Sequence, residues 1–129
     1  MSVRSALTIL TFTAATALAG TALAQDGDAA AGEKVFNKCK ACHTVDAGKN
    51  KVGPSLHDII GRAPASVEGF KYSKAMEEFA NGHVWDEATL SGYLESPRGV
   101  VKGTKMAFVG LKKEEDRADV IAYLKQFSE

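Results

Sequence analysis

The residues best equipped for chemistry sit together at Cys39-Lys40-Ala41-Cys42-His43. Two thiols three positions apart lie on one side of a helical turn, so both can reach the edge of one planar group. His43 follows directly and can turn its imidazole beneath that group. This spacing fastens a haem: the cysteines bond to its two vinyl groups and the histidine coordinates its iron. A thioether does not exchange, so the group stays in place when the iron changes charge. Paired cysteines serve two other chemistries. A thioredoxin-like dithiol follows a strand in a βαβ unit, and no strand pattern precedes Cys39. A structural zinc site needs a second ligand pair at matching spacing, which His57 and His83, 26 residues apart, do not supply.

What occupies the other axial position of such a haem decides its use. An open position binds oxygen or peroxide and suits an enzyme or a sensor, whereas a position filled by the protein suits electron transfer. The available ligands are Met76, Met106, His57, His83 and the lysines. Met76 falls in a helical stretch with Phe79 and reads as core packing. His57 and His83 lie in or beside loops and read as surface residues. Met106 stands in Gly103-Thr104-Lys105-Met106, a glycine-rich loop with no apolar stripe to account for it. Its sulfur, 63 residues after His43, can close over the opposite face.

The elements that must hold these groups read as short helices separated by long loops. Asp28 caps a first helix running to about Cys39. From Thr44 to Gly69 periodicity lapses, with Gly48, Gly53, Pro54, Gly61, Pro64 and Gly69 as punctuation. A loop that long in a small domain lines a site or wraps a ligand. Ser73 to Phe79 predicts a short helix, stopped by Asn81-Gly82. Asp86 caps another, with Leu90, Tyr93 and Leu94 on one side and Ser96-Pro97 as its end. Gly99, Gly103 and Gly110 then mark a loop. The last helix spans about Lys112 to Phe127, with Glu114, Glu115 and Asp116 in its first turn and Val120, Ile121, Leu124 and Phe127 on its buried face. There is no internal repeat and no alternating strand pattern. The expected fold is all-α, short helices and long loops wrapped around one covalently bound haem, because such helices cannot bury one another without a central body.

The 129 residues allow one domain. Residues 1–24 read as a cleaved secretory signal peptide: Arg4, then an apolar run from Ala6, then Ala22-Leu23-Ala24 as the cleavage site. An uncleaved membrane anchor is the alternative, opposed by Thr8, Thr11, Thr13 and Thr16 within the run. Residues 25–129 are then the monohaem domain, exported to the bacterial periplasm. Of the 16 basic and 16 acidic side chains, removing Arg4 leaves 15 against 16, which gives no reason to expect nucleic acid as a partner. Export permits disulfides, but both cysteines are used by the haem, so a haem-free form is expected to fold poorly.

The ordered set Cys39-Lys40-Ala41-Cys42-His43-Thr44, Gly53-Pro54-Ser55-Leu56-His57, Tyr72, Trp85, Tyr93-Leu94-Glu95-Ser96-Pro97, Gly103-Thr104-Lys105-Met106 and Ile121-Ala122-Tyr123-Leu124-Lys125 resembles class I cytochromes c. The likeness is greatest to the bacterial cytochrome c2 and mitochondrial cytochrome c branch, over essentially all of residues 25–129. It implies that Cys39 and Cys42 carry the thioethers of one haem c and that His43 and Met106 are the axial iron ligands. It implies that the Pro54 carbonyl accepts a hydrogen bond from the proximal imidazole, and that Tyr72, Trp85 and Arg62 hold the propionates. Tyr93 resembles the phenol near the methionine sulfur, Phe108 the aromatic covering the haem edge, and Gly32, Phe36 and Tyr123 the crossing of first and last helices. Lys102 stands where mitochondrial relatives commonly have proline, and Met76 where they commonly have asparagine.

The function so implied is a soluble, monomeric single-electron carrier and not an enzyme. It would run between a quinol-cytochrome c reductase (a cytochrome bc complex) and a cytochrome c oxidase or photosynthetic reaction centre. By resemblance, Lys38, Lys51, Arg98, Lys105, Lys112 and Lys113 form a basic ring that meets acidic partners. Taken singly, each is an ordinary solvated charge. A small haem peroxidase, or a redox- or gas-sensing haem module, is the alternative and requires the Met106 bond to open.

Overall fold

The computed structural model describes residues 26–129; the expected signal peptide at 1–24 lies outside them. Five helices follow in order: α1 (Ala29–Phe36), α2 (Lys74–Phe79), α3 (Glu87–Glu95), α4 (Pro97–Val100) and α5 (Glu114–Lys125), with no strand among the described residues.

The caps behave as side-chain chemistry dictates. Asp28 accepts from the Ala30 and Ala31 amides, Ser73 from Met76 and Asp86 from Thr89, each satisfying donors that an N-terminal turn leaves free. Two boundaries differ from the sequence pattern. The first helix ends at Phe36 rather than near Cys39, because Asn37 and Lys38 bond three residues back, to Lys34 and Val35. The chain tightens there into consecutive turns, and the amides of Cys42 and His43 both bond to the Cys39 carbonyl. The last helix is trimmed at both ends, to Glu114–Lys125. One element was not expected: α4 forms where Gly99 reads as a loop, since Pro97 at its first position supplies a helical φ and loses no bond there.

α1 and α5 cross at Gly32. A Cβ at that position would stand 1.9 Å from the Asp119 carbonyl oxygen and 2.8 Å from the Tyr123 Cβ, so only glycine admits the contact. Phe36 packs on Tyr123 beside it, ring centroids 5.2 Å apart. α3 lies against α5 through the Arg117–Ser91 hydrogen bond and the Lys125–Glu87 ion pair. The expected apolar faces are confirmed by burial: Leu90, Tyr93 and Leu94 on α3, and Val120, Ile121 and Leu124 on α5, with Phe127 only half-buried.

No helix forms from Asn37 to Ser73. That long segment is held by reciprocal bonds instead. Gly61 and Trp85 are tied by Gly61 N–H to Trp85 C=O and Trp85 N–H to Arg62 C=O, both 2.9 Å. The Leu56 amide bonds to Thr44 and that of Asp58 to Phe127. The loop is thereby bent around an interior that the helices alone do not fill.

Candidate cofactor site

That interior is a cavity of about 560 Å³, a usual size for a small-molecule site. Cys39, Cys42, His43, Pro54, Arg62, Tyr72, Trp85, Tyr93 and Met106 all line it, together with Met76, Phe108 and apolar side chains of α3 and α5. Residues distributed over some seventy positions of the chain are thus brought to one space. His57 and His83 are not part of its wall. His83 instead stacks on Phe79 at the surface, and its Nδ1 bonds to the Phe79 carbonyl.

His43 is fixed from behind. Its Nδ1 lies 2.8 Å from the Pro54 carbonyl oxygen, so this nitrogen carries the proton and donates it, leaving Nε2 with a lone pair. Burial lowers the imidazole's pKa from its ordinary value, and nearby Lys51 and Arg62 push the same way against the opposing Pro54 bond. The ring is therefore neutral near pH 7 and suited to bind a metal. Gly53 makes room for it: a Cβ there would come within 2.4 Å of His43 Cε1.

Met106 lies in the loop between α4 and α5. The Tyr93 hydroxyl stands 3.4 Å from its sulfur and 3.3 Å from Thr104 Oγ1, while Thr104 Oγ1 accepts from the Met106 amide at 3.3 Å. One assignment of protons uses every donor once. The Met106 amide donates to Thr104, Thr104 to Tyr93, and Tyr93 to the Met106 sulfur, closing a ring of three bonds. Burial raises the Tyr93 pKa, against the lowering effect of the Thr104 bond, so the phenol keeps its proton.

A third polar feature is Arg62. Its Nη1 and Nη2 donate to the His57 and Ser55 carbonyls, but its buried Nε has no partner among the described residues. Burial also lowers its pKa, which Tyr72 and Asp58 oppose. Tyr72 accepts from the Val67 amide and keeps its own hydroxyl proton to give. An apolar cavity with two thiols, a neutral imidazole, a thioether and an unpartnered guanidinium N–H fits a flat apolar macrocycle that carries a metal and carboxylates. No metal-binding cluster of His, Cys, Asp and Glu occurs among the described residues to offer a different centre.

The family model for cytochrome c matches residues 29–128. The chain belongs to the cytochrome c family. It is 60% identical over 99 residues to the cytochrome c-type cyt cy of Rhodobacter capsulatus, covering 76% of this chain and 48% of that protein, so it spans about half of that relative's length. It is 51% identical over 124 residues to cytochrome c-554 of Methylosinus trichosporium, covering 95% and 92% of the two chains. Cytochrome c2 of Rhodomicrobium vannielii is 54% identical over 99 residues, 76% of this chain and 78% of that one. Cytochrome cH from Methylobacterium extorquens, a solved structure 44% identical, has a TM-score of 0.72 and covers 78% of this chain and 99% of its own. The fold is accordingly the cytochrome c fold, the cofactor covalently bound haem c, and the class of activity electron transport.

The expected docking residues of this cytochrome c fall at the surface. Lys38, Lys51, Arg98, Lys105, Lys112 and Lys113 are all exposed, and Lys38 and Lys105 border the cavity. Three of them reach backbone carbonyls: Lys51 to Lys40, Lys105 to Tyr72 and Lys112 to Glu95. Among the described residues none of the six pairs with a carboxylate. Sequence reasoning missed the part played by Thr104 and the steric need for Gly53. Only the Gly53-Pro54 dipeptide hinted at the latter.

Proposed function

We propose that this cytochrome c is a single-electron carrier of the bacterial periplasm, with Cys39 and Cys42 as haem thioethers and His43 and Met106 as axial ligands. The observation that carries the reading is the pairing of an oriented neutral imidazole with a hydrogen-bonded thioether on one apolar cavity.

Each side chain then has a task. The Pro54 carbonyl holds the His43 ring in one tautomer and strengthens donation from Nε2. Tyr93 withdraws electron density from the Met106 sulfur by donating to it. Haem c in this setting supplies one reversible ferrous–ferric change at a relatively high potential, since neutral ligands and apolar walls disfavour the extra charge. Arg62, Tyr72 and Trp85 meet the haem carboxylates, the unpartnered Nε of Arg62 being the donor best placed to do so. Ligands held by hydrogen bonds in either oxidation state keep rearrangement on transfer small.

The uncompensated lysines and Arg98 fit brief docking on acidic partners. Their class is a membrane reductase that oxidises quinol and an oxidase or photosynthetic reaction centre that accepts the electron. The signal-like residues 1–24 support export, after which 25–129 would act as a soluble monomer that is not an enzyme. No helix among the described residues is long and apolar enough to cross a membrane. The mass of the exported protein tests the processing step: a chain starting at Gln25 with one haem is expected, and a retained leader would contradict it.

Carbon monoxide separates the carrier from a peroxidase or gas sensor. The reduced protein at neutral pH is expected to bind it negligibly, because Met106 keeps the sixth position. Rapid binding to the folded protein would overturn the carrier reading.

A further inference from the structure

Arg117 is buried on α5, 8% exposed, yet among the described residues it pairs with no carboxylate. A buried guanidinium normally has an anionic partner. Among the described residues this one donates to neutral oxygens: Nη1 to the carbonyls of Leu111 at 2.8 Å and Lys112 at 3.1 Å, and Nε to Ser91 Oγ at 3.1 Å. Leu111 and Lys112 end the strap that begins at Met106, and Ser91 lies on α3 two residues before Tyr93.

The same strap end is fastened a second time to α3. The Leu111 amide donates to the Leu94 carbonyl at 2.7 Å, and Lys112 Nζ donates to the Glu95 carbonyl at 2.7 Å. Gly110, at φ 104°, lies so close that a Cβ would be 2.2 Å from the Glu95 carbonyl oxygen. Between Met106 and Gly110 the strap is bare: among the described residues Ala107, Phe108 and Val109 make no backbone-to-backbone hydrogen bond, and Val109 is 84% exposed. Beyond the Tyr93–Thr104–Met106 bonds and the packing of Phe108, the strap is therefore held at its far end.

We infer that Ser91 and Arg117 are positioning residues for Met106, a latch that ties the strap's end to α3 and α5 and so limits how often the sulfur leaves the cavity. This rests on the reading of Met106 as a ligand. Both strap and Tyr93 are referred to the same helix, so the sulfur and its hydroxyl donor keep register while the latch is closed. When it opens, the segment from Ala107 to Val109 keeps the packing of Phe108 against the core but has no backbone-to-backbone hydrogen bond of its own among the described residues, and an outside ligand can take the vacated position.

The test uses the ferric holoprotein and imidazole as the incoming ligand, with the rate of replacement followed optically. Ser91→Ala strands the Arg117 Nε–H in the interior and is expected to speed replacement about fivefold, the equivalent of one lost buried hydrogen bond. Ser91→Thr restores the hydroxyl and is expected to return the rate to wild type. Glu87→Gln removes the other α3–α5 tie, the Lys125 ion pair, and is expected to leave replacement unchanged. Amide exchange at Leu111, which needs no added ligand, is expected to quicken in Ser91→Ala alone. Equal rates in wild type and Ser91→Ala, or equal acceleration by Glu87→Gln, would overturn the latch. A wild-type ferric spectrum without a sulfur-to-iron charge-transfer band would instead overturn the Met106 reading beneath it.

Discussion

The Tyr93 hydroxyl stands 3.4 Å from the sulfur of Met106 and is supported from behind by Thr104. A donor at this distance draws density from the sulfur and makes it a poorer ligand for ferric iron. Tyr93→Phe removes the donor while keeping the ring that packs on Trp85, centroids 5.0 Å apart. The midpoint potential is expected to fall by roughly 20–60 mV, the worth of about one hydrogen bond in a one-electron couple. A redox titration reads it directly, and an unchanged or raised potential would remove Tyr93 from the tuning of the sulfur.

Two glycines make a contrasting pair. Gly53→Ala forces a Cβ against the His43 ring, and Gly32→Ala forces one against the α5 backbone. Each is expected to cost about 2–3 kcal/mol as overpacking, measured by denaturant unfolding of the haem-loaded protein. Only Gly53→Ala should also shift the optical spectrum and the potential, because only it moves a ligand. A spectral change of equal size in Gly32→Ala would show that the helix crossing and the ligand geometry are not separable.

Much of this architecture was legible in the chain, for local reasons. The stripe on α3 and the face of α5 follow from side-chain spacing, and the caps at Asp28 and Asp86 follow from side-chain length and polarity. Cys39, Cys42 and His43 are adjacent, so their joint chemistry needs no tertiary information. Family resemblance supplied Pro54, Arg62, Tyr72, Trp85 and Tyr93, and all five line the cavity. What could not be read locally depends on distant backbone. Thr104 joins Tyr93 and Met106 only because the strap folds over α3, and the place of Arg117 is set only once Leu111 and Lys112 lie against it. The short α4 was hidden because Gly99 disfavours a helix by propensity, whereas Pro97 begins one.

The cap of α3 gives a pH dependence with a definite sign. Asp86 accepts from the Thr89 amide at 2.7 Å, and this bond, with one to the Thr89 side chain, holds its carboxyl below the ordinary value of 3.8. As pH falls the unfolded chain takes up this proton before the folded one. The cap's contribution is therefore whole above 3.8 and is lost as pH drops through the lower folded value. The Thr89 amide resonance, followed by NMR down to about pH 2, should shift with this titration in wild type. It should not do so in Asp86→Asn, which keeps an accepting oxygen. The same shift in both would assign the effect to another acid.

Docking should carry the signature of uncompensated charge. With a purified quinol-oxidising complex, the bimolecular electron-transfer rate is expected to fall with rising salt. The double reversal Arg98→Glu, Lys113→Glu should lower it about tenfold at low ionic strength, with the two proteins converging as salt screens the difference. A rate indifferent to salt in the wild type would contradict electrostatic docking.

The central claim is that Met106 is the second axial ligand, and both Met106 and Met76 line the cavity. The most direct measurement is the sulfur-to-ferric-iron charge-transfer band of the purified oxidised protein, compared in wild type, Met106→Ala and Met76→Leu. The band is expected in wild type and Met76→Leu and absent in Met106→Ala. A band that survives in Met106→Ala, or disappears in Met76→Leu, would contradict the account.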